Sequence, residues 1–515
     1  MAKGHYRGRS VPLIDDLGGA VAVADHDNVR GALQALDRGA HGVHPDSPEG
    51  EFAVGPGLEG AAALEAEMAS FRQEGALDLV PPNRDVGDHV AAPTLRALQT
   101  HRAHIRGILA AALVLLVVGT FSPPAGSAQV RVWPGVDVLV AYYTQVLAGK
   151  RVGLITHRAA AGVGGWSTAT ILTLDPRIHV VALFAPEHGF SGMLPAGAPV
   201  PVSMGKIPVY SLYAATKRPS AEMLEGVDAL VFDLQDVGAR AYTYISTMAL
   251  AMQAAAEHDK LFIVLDRPNP LGGDRVDGPV LDPAFTSFIG IYPVPAVHGM
   301  TIGELALLFN EEFRINARLA VVPMSGWRGM MHWDDTGLSW VRPSPNITSP
   351  AAAELHASTG LLEGTNLSVG AGSATPFQTV TARWLQGERL AARLNARRLP
   401  GVHFEPIRVG PGGQRSGGVR LILANQNQFQ PAATAVHILD AIHRLHPGAL
   451  QFIQPRNGNR YRFDLVWGTD RVRRAIMQGE PADAIVAAWD ADRQWFLRIR
   501  QRYLLYPRAV PEIAP

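Results

Sequence analysis

At 515 residues the chain exceeds one ordinary domain, so two or three are expected. Its 46 basic and 46 acidic side chains cancel and no Lys/Arg-rich run offers a phosphate-binding patch, so nothing in the charge points to nucleic acid. There is no cysteine, which excludes disulfides, Cys-ligated zinc and a thiol nucleophile, while a hydrophobic content of 47% allows a sizeable core.

Residues 1 to about 100 are rich in Gly, Ala, Pro and acids and carry no recognisable chemistry; disorder is the expectation, with one amphipathic helix over Ala61 to Arg72. His101 to Arg106 form a basic segment, Gly107 to Phe121 an apolar run, and Ser122 to Ala128 a small-residue stretch. This is the layout of a signal peptide over 101–128, cut after Ala128. The apolar run is short for a membrane span, which needs about 20 residues. Two arrangements are open. Either translation starts downstream of residue 1, or the extension is real and residues 107–121 are an uncleaved anchor. The cleavage-like stretch favours the first. Both place the remainder outside the cytoplasm, periplasmic or extracellular.

The globular part begins near Gln129. Arg151 to Thr156 reads as a first strand, followed by a polar loop and a helix over Ser167 to Leu174 with Ser167 near its N-cap. Ile178 to Phe184 is an apolar strand that stops at Pro186, with Glu187 and His188 directly after. Ala229 to Phe232 is another, capped by Asp233 to Gly238. A helix over Thr247 to His258 leads to a strand over Leu261 to Leu265, which ends in Asp266-Arg267-Pro268-Asn269. Apolar strands alternating with helices imply a doubly wound, mostly parallel sheet, an α/β fold. Parallel strands bring their C-terminal clusters to one rim, where ligands bind in such sheets.

That rim lacks a Gly-x-Gly-x-x-Gly fingerprint and a P-loop, so no nucleotide cofactor is expected. No Gly-x-Ser-x-Gly elbow supports a serine hydrolase. No His-x-x-x-His pair supports zinc, so neither cofactor nor metal is expected. After Met324 the chain becomes loop-rich and aromatic, and the domain boundary is placed near 330. A smaller α+β domain over 331–515 follows, with a strand over Gly418 to Leu423 and helices over Ala432 to Leu445 and Ala482 to Tyr503. Trp384, Trp467 and Trp489 are expected in its core.

The ordered string of motifs resembles the exo-β-N-acetylmuramidase (NamZ-type) family. The pieces are Phe184 to Phe190, Tyr210 to Tyr213, Asp233 to Tyr244, Leu265 to Gly273, His298 to Glu304, Ser344 to Asn346 and Glu363 to Asn366. The resemblance runs from about 131 to 506. It implies a Rossmann-like domain over 129–330, a smaller domain after it, and a cleft between them. It also implies release of N-acetylmuramic acid from the non-reducing end of peptidoglycan fragments, with Glu187 as a catalytic carboxyl group. Glycoside hydrolysis commonly uses two carboxyl groups. Candidates for the second are Asp277, Glu304, Asp236 and Glu363, with Asp277 taken first. His188, Gln235, Asp236, Arg240, Asn269, His298, Glu304, Asn346, Glu363 and Asn366 are the candidate sugar contacts. A non-catalytic saccharide-binding protein of the same fold is the alternative.

Three departures from the family pattern fall in loops expected to face the cleft. His157-Arg158-Ala159-Ala160 stands for Asn-Gln-Thr-Gly, and Asp277 for a Glu. Ser368 to Ser373 stands for Ser-Glu-Gly-Arg-Gly-Thr, so that Ala371 replaces an arginine. Arg240 and Arg158 are then the cations expected on the rim for the lactyl carboxylate.

Overall fold

A computed structural model describes residues 132–195, 198, 203–213, 215–410, 416–455 and 460–508. The N-terminal extension, its Ala61 to Arg72 helix and the signal segment over 101–128 lie outside the described residues.

The first lobe is built on a seven-stranded sheet. Its strands are β1 (Arg151–Thr156), β2 (His179–Ala185), β3 (Ser203–Met204), β4 (Ile207–Ser211), β5 (Ala229–Asp233), β6 (Leu261–Leu265) and β9 (Arg318–Val322), in the order β3-β4-β2-β1-β5-β6-β9. All pairings are parallel except β3 with β4 at the edge. The central strands β5 and β6 are buried at every residue, and β1 at all but its first, because both faces are covered. Side chains alternate between two cores: Leu230 and Phe232 of β5 join the core under the Tyr244–Glu257 and Ile302–Glu312 helices, whereas Ala229 and Val231 join the core on the opposite face. Ser167 caps the Thr168–Leu174 helix by accepting from the Thr170 N–H. The helix expected from Thr247 starts earlier, at Tyr244, with Thr243 at its N-cap position.

A hairpin of β7 (Asp277–Val280) and β8 (Pro295–Val297) leads towards the second lobe. There β10 (Thr379–Ala382), β11 (Val402–Val409) and β12 (Ser416–Leu423) form an antiparallel sheet in the order β10-β12-β11, packed with the Gly387–Ala396 and Pro431–Leu445 helices. Trp467 and Trp489 are buried in this core and Trp384 packs against it. The single helix expected over Ala482 to Tyr503 is two, Ala482–Ala487 and Asp490–Arg500, broken where Trp489 turns inward. The chain then returns to the first lobe. Phe496 and Tyr503 enter the core shared with Phe309, and Tyr506 packs with Trp327. The C-terminal segment therefore binds the two lobes into one body.

Candidate active site

Two of the site residues are placed by the turn after β2. Pro186 follows the last β2 residue, and Glu187 and His188 come next, half-buried. His188 adopts a left-handed backbone, φ 69°, which costs a residue with a Cβ roughly 1–2 kcal/mol. Its ring holds the turn closed: Nδ1 lies 2.8 Å from the Leu194 carbonyl. A carbonyl only accepts, so Nδ1 carries a proton.

Glu187 and His188 open onto a cleft of about 560 Å³, within the usual range for ligand sites. The first lobe contributes Tyr213 and Lys217 after β4, Tyr242 and Thr243 before the Tyr244–Glu257 helix, and Phe288 from the loop between β7 and β8. The second lobe contributes His356, Glu363, Phe377 and Arg462, and the segment joining the lobes adds Ser344 and Asn346. Glu187 Oε2 accepts a 2.7 Å hydrogen bond from the Thr243 hydroxyl. Tyr213 also bonds Glu187; burial and that bond push the phenol up to about 12, so it stays a donor. Across the cleft Arg462 Nε donates to Glu363 at 2.9 Å. Glu187 and Glu363 are the two carboxylates lining the cleft among the described residues.

Of the residues singled out from sequence, Glu187, His188, Asn346 and Glu363 meet here. The structure places the others elsewhere, each for a physical reason. The sheet order reverses between β1 and β5, where a doubly wound fold opens a crevice. Here His157 fills it: buried, its Nε2 accepts from the Gln235 N–H at 3.0 Å. Burial, then the Arg267 charge, lowers its pKa to about 3, so it is neutral. Gln235 is buried and donates to the carbonyls of Asp236 and Pro268. Asp236 accepts from the Gly238 N–H at 2.8 Å and lies 3.7 Å from His298. Burial raises the Asp236 carboxyl to about 7 and lowers His298 to about 3. This pair sits in the protein interior.

Arg240 is a correction to the rim cations. It is fully buried and donates to the carbonyls of Pro279, Val294 and Val466, joining the hairpin to the second lobe. Burial lowers its pKa to about 9. Asn269 donates to the distant Met300 carbonyl and accepts from Leu271 N within its own turn. Gly238, with φ 77°, is required beside it, since a Cβ would collide with the Asn269 amide. Glu304 closes a capping box with Thr301, accepts from the Leu505 N–H and pairs with Arg508; it clamps the C-terminal segment. Asn366 bonds Ala449 O and Gln451 N.

Asp277, taken first as the second carboxylate, is a further correction. It is buried, and its Oδ2 accepts from Ala432 N at 2.8 Å and Ala433 N at 3.3 Å. These are orphan N–H groups of the Pro431–Leu445 helix. Asp277 caps a helix of the other lobe and does not line the cleft. Of the three loop departures, only the last touches the site: Gly372 N donates to cleft-lining Asn346 at 2.8 Å, so Ala371 lies beside the rim.

Lys217, Phe288, His356, Phe377 and Arg462 also line the cleft and are not among the residues expected from sequence. Tyr213 and Thr243 lay inside quoted motifs without a role. The position of Tyr213, just past a strand next to β2, was the available signal. The second-lobe residues had no local one.

The family model described as exo-β-N-acetylmuramidase NamZ, N-terminal, matches residues 152–351, and its C-terminal counterpart matches residues 354–506. The peptidoglycan β-N-acetylmuramidase NamZ of Bacillus subtilis (strain 168) is 42% identical over 384 residues, which cover 73% of this chain and 92% of that protein. Two crystal structures of DUF1343 family proteins from Bacteroides fragilis are similar. One is 37% identical with a TM-score of 0.67, covering 74% of this chain and 100% of that one. The other is 32% identical with a TM-score of 0.59, covering 73% and 99%.

Proposed function

The chain belongs to the exo-β-N-acetylmuramidase (NamZ) family and is a glycosidase, and from that premise we propose that it releases N-acetylmuramic acid from the non-reducing end of peptidoglycan fragments, with Glu187 as the general acid. The observation that carries this reading is the setting of Glu187. It stands at a strand end in a cleft, fixed by Thr243 and Tyr213, opposite a second carboxylate.

Glu187 in its acid form gives its proton to the glycosidic oxygen as the C–O bond breaks. Positive charge then develops on the sugar ring. Glu363, held in place by Arg462, faces the cleft and stabilises that charge. The saccharide leaves with the proton, water adds to the sugar, and the proton that the water gives up returns to the Glu187 carboxylate, which restores the acid form. Tyr213 and Thr243 fix the Glu187 carboxyl towards the bond. The ring faces of Tyr242, Phe288 and Phe377 give the sugar apolar surface to stack on. The test is incubation of residues 129–515 with a chromogenic N-acetylmuramide beside the matching N-acetylglucosaminide. Release of chromophore from the muramide, faster than from the glucosaminide, is expected. Equal or faster release from the glucosaminide would reassign the substrate, and no release from either would leave a saccharide-binding role.

We further propose that the protein is exported. The basic, apolar and small-residue succession from His101 to Ala128 supports it. Protein recovered outside the cytoplasm should begin at Gln129; a cytoplasmic product that retains residue 1 would oppose it.

A further inference from the structure

The lactyl ether distinguishes N-acetylmuramic acid from N-acetylglucosamine, and its carboxylate is anionic at neutral pH. A site that selects it needs a cation. Of the two rim cations expected from sequence, Arg240 is buried among carbonyls and Arg158 is not part of the cleft lining, and Ala371 stands where the family pattern has an arginine. The cleft itself holds two other cations, Lys217 and Arg462. We propose that Lys217 recognises the lactyl carboxylate and sets the preference for muramides; this rests on the glycosidase reading above.

Charge separates the two cations. Arg462 already donates to Glu363 at 2.9 Å, so its charge is met within the protein. Among the described residues Lys217 has no such carboxylate partner. Its ammonium lies 4.8 Å from the centre of the Phe288 ring. A ring face orients a cation without neutralising it, so the charge stays available to an anion.

Position points the same way. Phe288 lies 5.8 Å from Tyr213, and Tyr213 bonds Glu187. Lys217, Phe288, Tyr213 and Glu187 thus form one continuous wall, with the ammonium at one end and the acid at the other. A sugar laid along that wall, its glycosidic oxygen at Glu187, turns the substituent on its far side towards Lys217. Glucosaminides carry a hydroxyl there and gain little from the charge.

The test uses Lys217→Met, which keeps an unbranched apolar stem on Phe288 and removes the charge. The ratio of kcat/KM for the chromogenic muramide over the glucosaminide should fall roughly ten-fold, through KM, as expected on losing one charge-assisted hydrogen bond. Added salt should shrink the ratio in the natural sequence and leave it unchanged in the variant. Arg462→Met should not reproduce this selective loss. Calorimetric titration with methyl N-acetylmuramide and methyl N-acetylglucosaminide reads the same preference without turnover, so the proposal is judged even if hydrolysis is absent. A Lys217→Met protein that keeps its full preference in rate and in binding overturns the proposal while leaving the glycosidase reading intact. So does a selective loss confined to Arg462→Met.

Discussion

Glu187→Gln lowers hydrolysis of the chromogenic muramide by about 10²-fold or more, the scale of one general acid. The amide is nearly isosteric and still accepts from Thr243, which bonds the native carboxyl at 2.7 Å. The fold should therefore be kept, and a thermal melt close to that of the natural protein is the control. Loss should fall on kcat rather than KM, because the proton is needed only as the bond breaks. The limb of the pH–rate profile that reports the acid should vanish with it. Substrates with good leaving groups need less protonation and should lose less. A fully active, folded Glu187→Gln protein would sink the assignment and move attention to Glu363, the other carboxylate in the cleft.

The middle of the doubly wound sheet, β1, β2, β5 and β6, was legible because these strands are short, mainly apolar runs that stop at polar residues or proline, whereas β3, β4 and β9 were not read. β5 and β6 are buried at every residue, and the alternation of Leu230 and Phe232 with Ala229 and Val231 feeds two cores. Glu187 was legible for the same reason, standing at a strand end. The rest of the rim was misread because polar residues at strand ends have two uses. They can face a ligand, or they can satisfy backbone groups left over in turns, at strand ends and at helix N-termini. Arg240, Asn269 and Asp277 do the second. Local sequence does not separate the cases, since their partners come from distant parts of the chain, as Val466 does for Arg240. The aromatic and cationic residues of the second lobe were not legible either. Their place in the cleft depends on how that lobe docks, which the buried cap of Asp277 on the Pro431–Leu445 helix helps to fix.

The largest expected loss of stability follows from this second use. Arg267→Met should cost about 3–5 kcal/mol, the usual penalty for breaking a buried ion pair on one side. Asp233 ends β5 and Arg267 follows β6, and both are buried. The guanidinium pairs with the Asp233 carboxylate through Nε and through a second bond of 2.8 Å, and also donates to Ala161 O at 2.9 Å. Thr168 donates to the same carboxylate. One node thus ties together the ends of β5 and β6 and the segment after β1. Removing Arg267 leaves a carboxylate without its cation in a site that water does not reach. Urea unfolding of residues 129–515 should show the midpoint fall with the slope unchanged. Replacing both partners, Asp233→Leu with Arg267→Met, should recover much of the loss, because the uncompensated charge goes as well. A single substitution that costs under about 1 kcal/mol, the range of surface pairs, would show that the node does not hold the strand ends. A double replacement no better than the single one would show that the loss lies in packing rather than in charge.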